Sequence, residues 1–170
     1  MSASSFPAPV LGWREWVLLP GLGIRPMRAK IDTGARTSSL HVERQWRFIE
    51  QGAPWVGFSL RPSRKRNELI EAAAPLHDER VVSDSGGHRV LRPFVRTEIL
   101  VGGQRLAIEL NLADRRGMLF PLLLGRRALV GFRIDPEASF LHAKPSLVLR
   151  QNVLECEHHN PRWRDHPSNQ

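Results

Sequence analysis

The chain has 170 residues, 41% of them hydrophobic, and carries 25 Lys and Arg against 17 Asp and Glu for a formal net charge of +8. That length is enough for one domain with a real core, while its lone cysteine, Cys156, excludes an internal disulfide. No stretch approaches the roughly 18 apolar residues of a membrane span, and the first ten residues lack the basic start and apolar run of a signal peptide, so a soluble cytoplasmic protein with no membrane partner is expected.

Residues 1–12 read as an N-terminal arm, 13–157 as the folded domain and 158–170 as a polar tail. Residues 13–19 form a strand-like run closed by Pro20-Gly21-Leu22-Gly23, and residues 27–31 follow. Together they predict a hairpin that delivers Asp32 to the end of its second strand. Strands at 55–60 and 69–74 flank a basic loop at 61–67, and others are predicted at 80–83, 90–100, 105–112 and 119–124. Gly102-Gly103 suits a two-residue hairpin turn, and only residues 126–131, directly after Gly125, look helical. Many short strands with Gly or Pro turns argue an all-β domain, a small closed or folded barrel with one short helix.

The surplus charge is almost wholly arginine spread along the chain, which favours anionic partners. Its densest run, Arg61-Pro62-Ser63-Arg64-Lys65-Arg66, contains no aromatic residue to stack on a base and belongs to no nucleic-acid module. No nucleic-acid partner is expected.

Three segments carry chemistry. In Ala29-Lys30-Ile31-Asp32-Thr33-Gly34-Ala35 a carboxylate follows an apolar strand and precedes Thr-Gly-Ala, which is how an aspartic peptidase presents its acid. That reaction takes two carboxylates sharing one proton, one drawing a proton from water while the other protonates the carbonyl oxygen. Asp-Thr-Gly occurs once, so the second Asp32 is expected from a second copy of the chain. In Phe120-Pro121-Leu122-Leu123-Leu124-Gly125-Arg126 an apolar strand ends in the glycine needed behind such a loop, where a side chain would collide with the loop backbone. Between them, residues 81–90 read as a hairpin with a glycine-rich tip, the form of a flap that folds over substrate. Its Asp84-Ser85-Gly86 imitates a second acid triplet, but lies too close to Asp32 for a second lobe to fit between them.

Asp32-Thr33-Gly34-Ala35-Arg36-Thr37-Ser38-Ser39-Leu40, the hairpin with Ser85-Gly86-Gly87 and Arg92-Pro93, and the Phe120 to Arg126 run resemble the bacterial retropepsin-like aspartic peptidase family. That family was long labelled ATP-dependent zinc proteases and is associated with RimK-type ligases that add glutamate to protein C-termini. The likeness runs from about residue 13 to residue 135. It implies a retropepsin-like acid-protease barrel, a homodimer with its site on the two-fold axis, and hydrolysis of peptide bonds, with acidic or glutamylated tails as substrates. Asp32 from each subunit would form the dyad, Gly34 would let the two loops approach, and Thr33 would hydrogen-bond across the two-fold. Ala35, Arg36, Ser85, Gly86, Gly87 and Arg92 would contact substrate, and Leu123, Leu124, Gly125 and Arg126 would support the loop.

The resemblance has one departure and one label to test. Viral retropepsins usually carry an acidic residue after Asp-Thr-Gly-Ala that pairs with the arginine following the glycine strand. Arg36 stands there instead, facing Arg126 and Arg127, so another brace is expected from Asp114, Glu109 or a substrate carboxylate. As for zinc, His-Glu-x-x-His is absent, His41, His77, His88 and His142 are isolated, and Cys156, His158 and His159 sit in the polar tail. No Gly-rich Lys-Ser/Thr phosphate loop is present either, so no metal and no cofactor are expected. Two other readings stay open: a binder of acidic tails on the same fold, and a zinc-dependent peptidase.

Overall fold

A computed structural model describes residues 7–83 and 86–145. Its strands are β1 (Val10–Gly12), β2 (Arg14–Leu19), β3 (Ile24–Ile31), β4 (Ser38–His41), β5 (Arg44–Glu50), β6 (Ala53–Leu60), β7 (Ile70–Pro75), β8 (Asp78–Ser83), β9 (Arg89–Val101), β10 (Gln104–Ala113), β11 (Leu122–Leu124) and β12 (Arg133–Asp135). The described helical segments are single 3-10 turns at Pro20–Leu22 and Arg126–Ala128.

The main sheet runs β10-β4-β11-β3-β2-β9-β8, and β9 also pairs with β10. That extra pairing closes six strands into a ring and leaves β8 attached outside it, so most sheet edges disappear. The retropepsin-like barrel expected from the motifs is therefore present. Inside it pack Leu19, Ile24, Met27, Leu40, Leu110, Leu112 and Leu124, all fully buried. A second sheet, β5-β6-β7, contributes Val56, Phe58 and Leu60 to the same core, and on it the indole of Trp46 lies where a side chain on Gly57 would be.

Turn chemistry follows the sequence closely. Gly102 and Gly103 both have positive φ, 57° and 72°, and join Val101 to its partner Gln104, the left-handed pair that a tight hairpin requires. The β2–β3 hairpin is antiparallel, with a register shift between Val17 and Leu19 that accommodates Pro26, a residue with no N–H for the ladder.

Several elements depart from the sequence reading. β4 is an addition to the predicted strands, and its Ser38 and Ser39 are both buried. β5 was missed as well. β11 is three residues long, half the predicted 119–124, with Leu119 exposed before it. The predicted helix at 126–131 is a single 3-10 turn. The N–H groups of Arg126 and Arg127 are used on Ala35 and Arg36 carbonyls, and Gly131 at φ 87° ends the segment.

Residues Val10–Gly12, at the end of the predicted arm, pair in parallel with Arg133–Asp135. The junction is held by Glu15, whose side chain is fully buried. Its Oε1 accepts from the N–H of Gly12 at 2.8 Å and of Leu141 at 3.0 Å, and Oε2 from that of His142 at 3.4 Å. A buried carboxylate is tolerated only when it is hydrogen-bonded in this manner. Residues 158–170, predicted as a tail, and Cys156 lie outside the described residues.

Candidate active site

The Asp32 loop, residues 32–37, leaves the end of β3 and returns as β4, and β11 lies between those two strands. β11 runs parallel to β3, with Leu124 opposite Ile31, and antiparallel to β4, with Leu123 opposite Ser39. The loop therefore wraps the C-terminal end of β11, and the backbone holds it there. Asp32 N–H donates to the Leu124 carbonyl at 2.8 Å, Arg126 N–H to Ala35 at 2.8 Å, and Arg127 N–H to Arg36 at 3.1 Å. Gly125 N–H donates to Ser38 Oγ at 3.1 Å.

Gly125 itself is extended, so φ does not demand glycine there; space does. A Cβ at this position would stand 2.6 Å from the backbone C and O of Thr37. A side chain here would strike the loop backbone, as expected from the sequence.

Asp32 is half-buried, with Thr33 and Gly34 exposed beside it. Its Oδ1 accepts from Gly34 N–H at 3.1 Å and from Ala35 N–H at 3.3 Å, while no described residue hydrogen-bonds Oδ2. The carboxylate is thus fixed through one oxygen, with the other unengaged by the described residues. A Cβ on Gly34 would lie 3.3 Å from Oδ1, so glycine also keeps the loop tight around the acid.

The expected brace is found in different atoms. Arg126 Nη1 donates to the carbonyls of Thr33, at 2.9 Å, and Gly34, at 3.1 Å, tying the triplet to the 3-10 turn without any acidic partner. Neither proposed carboxylate serves Asp32's loop directly. Asp114 pairs with Arg116 at 3.1 Å. Glu109 binds Arg80 in bidentate fashion at 2.8 and 2.9 Å and lies 3.8 Å from Arg127. Arg36 is exposed.

Behind the loop is a polar network that the sequence did not suggest. Asn111 on β10 donates through Nδ2 to the Ser38 carbonyl at 2.9 Å, and its Oδ1 accepts from Ser39 Oγ at 3.0 Å and from Arg92 Nη1 at 3.2 Å. Ser38, Ser39 and Asn111 are all buried, so the hydrogen bonds are needed to offset desolvation. Through Asn111 the base of the β8–β9 hairpin is linked to the residues that follow the acid loop. Arg92 was expected to touch substrate; here its guanidinium reaches into this network.

The hairpin itself forms as expected, Ser83 pairing with Arg89 across the tip, and Gly86 and Gly87 are exposed. Asp84 and Ser85 lie outside the described residues. Val81, Val90 and Leu91 on the two strands are about half exposed. At the hairpin base Arg80 also contacts Asp78 at 2.5 Å and lies over the Phe94 ring at 4.1 Å. Its guanidinium holds the carboxyls of both Glu109 and Asp78 below their usual range, against the opposing effect of burial, and its own pKa is raised in turn. Leu123 and Leu124 are buried on β11.

Among the described residues no three His, Cys, Asp or Glu side chains converge as a metal site would require. Cys156, His158 and His159 are outside the described residues.

Residues 10–145 match the family model described as "RimB-like: Retropepsin-like aspartic endopeptidase RimB". Among curated relatives, a protein named "Probable alpha-L-glutamate ligase" from Parasynechococcus marenigrum (strain WH8102) is 36% identical over 149 residues, covering 86% of this chain and 31% of that protein. A protein of the same name from Shewanella pealeana (strain ATCC 700345 / ANG-SQ1) is 35% identical over 145 residues, covering 84% and 32%. The chain thus spans about a third of the length of the curated relatives it matches. Among solved structures, Lpg0085 of Legionella pneumophila, a protein of unknown function, superposes with a TM-score of 0.67 at 27% identity, covering 78% of this chain and 97% of that one.

Proposed function

The chain belongs to the RimB-like family of retropepsin-like aspartic endopeptidases, and from that premise we propose that it is an aspartic peptidase acting as a homodimer, with one Asp32 from each subunit. The observation that carries this reading is the fixed Asp32 carboxylate, anchored through Oδ1 on two backbone N–H groups with Oδ2 left unengaged by the described residues. A single such loop supplies half of a dyad, and a two-fold axis supplies the other half.

In the dyad one carboxyl is protonated and the other ionised, because two close carboxylates do not both carry charge. The ionised Asp32 takes a proton from a bound water as its oxygen attacks the scissile carbonyl carbon, and the protonated Asp32 donates to the carbonyl oxygen. The tetrahedral diol collapses as the leaving nitrogen takes a proton from one Asp32 and a diol hydroxyl returns its proton to the other. The C–N bond breaks, acid and amine leave, and one shared proton remains. The β8–β9 hairpin would cover the substrate and limit water access.

We infer further that the substrate is an acidic tail, with glutamyl bonds the first candidates. The net charge of +8 suits such a partner, and several longer relatives carry the name glutamate ligase. That name belongs to proteins about three times as long, and it supports the reading that glutamyl bonds are what this chain would cut. A cytoplasmic setting accords with the lone cysteine. No described helix is long and apolar enough to cross a membrane.

The test is Asp32→Asn assayed on peptides ending in glutamate runs. Hydrolysis is expected to vanish while the solution mass, measured by light scattering, stays that of a dimer. Full activity in the variant overturns the assignment, as does a strict monomer both alone and with substrate. Tight binding of these peptides by the unaltered chain with no product would make the protein a binder.

A further inference from the structure

A large cavity lies away from Asp32. It encloses about 720 Å³ between the start of β3, the end of β4, the 61–68 loop and the 115–121 segment. Pro121, which leads into β11, lines it, and His41 N–H donates to the Pro121 carbonyl. Asp32 sits at the other end of β11, so one three-residue strand, about 10 Å at 3.3 Å per residue, separates the two. Eight arginines and two lysines line the cleft against two carboxylates, Glu43 and Glu68. The positive excess of this one cleft equals the net charge of the whole chain, +8.

The two glutamates are already engaged, Glu43 with Arg61 at 3.6 Å and Glu68 with Arg25 at 3.4 Å. Arg28, Arg64, Lys65, Arg66 and Arg115 have no described carboxylate within ion-pair distance. Five cations sharing one concave wall repel one another, and an anionic ligand relieves that repulsion while the cleft focuses the field. The volume is that of a ligand site.

Two polyanions could answer this charge, and the aromatic residues separate them. Single-stranded nucleic acid needs open ring faces on which bases stack. Trp16 is in the cleft, but Lys144 covers its ring at 4.7 Å and Arg28 at 5.6 Å, while Phe120 is buried against Trp13. With no open platform, the arginine forks match carboxylates of an acidic peptide.

We propose that this cleft is an exosite for the acidic segment of a peptide substrate, engaging carboxylates three or more residues from the bond cut at Asp32. Three or four extended residues cover the length of β11. The inference rests on the peptidase reading for the word substrate, but the binding it asserts does not require catalysis.

The experiment is therefore done in the Asp32→Asn chain, by fluorescence anisotropy with a labelled peptide ending in a glutamate run. Controls are the matching glutamine peptide and a labelled oligouridylate. Arg64→Glu/Lys65→Glu/Arg66→Glu is expected to weaken the glutamate peptide by roughly tenfold or more, with the glutamine peptide bound poorly throughout. Should that variant misfold, Arg28→Gln with Arg115→Gln is measured instead, with loss of several-fold expected. In the active chain the charge reversal is expected to raise KM for long acidic peptides and leave kcat unchanged. Unaltered glutamate-peptide affinity overturns the exosite. Equal affinity for glutamine overturns it as well. Tighter oligouridylate binding that the reversal abolishes would reassign the cleft to nucleic acid. Cleft-dependent binding with no hydrolysis by the unaltered chain would remove the peptidase reading and leave an acidic-tail binding site in place.

Discussion

The two ends of β11 are built on opposite principles. At its C-terminal end the Asp32 loop is fixed by main-chain hydrogen bonds, with Gly125 offering no room even for a methyl group. At its N-terminal end the cleft is assembled from long side chains carried by several separate segments, most of them on loops. Geometry at the first end is set by the backbone and tolerates almost no change. At the second end what matters is the sum of charges, to which any single residue adds little. A catalytic acid needs placement within a fraction of an ångström, whereas recruitment of an anionic chain needs only field strength.

The sharpest way to break this contrast is Gly125→Ala. The added methyl meets the Thr37 backbone, so either the loop or β11 must shift. We expect a stability loss of about 3 kcal/mol, read as a lowered urea midpoint with unchanged slope, and loss of hydrolysis in what remains folded. A fully active and equally stable Gly125→Ala protein would mean that the backbone lock is not needed.

Arg126→Ala comes next. It removes the two bonds to the Thr33 and Gly34 carbonyls without touching the acid, and should lower kcat about tenfold with little change in KM. Partial recovery by Arg126→Lys would identify it as a positioning residue, and an unchanged kcat in Arg126→Ala would remove it from that role.

The smallest expected effect is at the hairpin base. Arg80 holds the Glu109 carboxyl below its ordinary value of 4.5, so the pair stabilises the fold above that pH and the contribution is lost as pH falls toward the lowered folded value. With Arg80 about a third exposed, solvent screening limits the cost of Glu109→Gln to about 1 kcal/mol at neutral pH. Thermal melts across the acid range should show a shallower decline in the variant. An equally steep decline would place the acid sensitivity elsewhere.

What could be read from the sequence was whatever is local. Asp32-Thr33-Gly34 announces its own loop and Gly102-Gly103 its own turn, because each depends on adjacent atoms, while Gly125, whose missing Cβ makes room for the distant Thr37, is legible only because an apolar strand ending in glycine accompanies such a loop. Ser38, Ser39 and Asn111 could not be read in this way, since buried polar residues in short strands look like a solvated face until β4 and β10 are laid side by side. The brace was sought among carboxylates and is made by backbone carbonyls, which every residue possesses and no sequence pattern marks. The 61–66 basic run was visible, but Arg14, Arg28 and Arg115 join it only through the sheet order.

Glu15 has a consequence beyond its own burial. By tying Gly12 to Leu141 and His142 beside the β1–β12 pair, it brings the point where the chain enters the barrel next to the point where it leaves. A module stitched shut at its doorway can be carried by a larger polypeptide on a single edge, its neighbours joined there without prying the ring of strands apart.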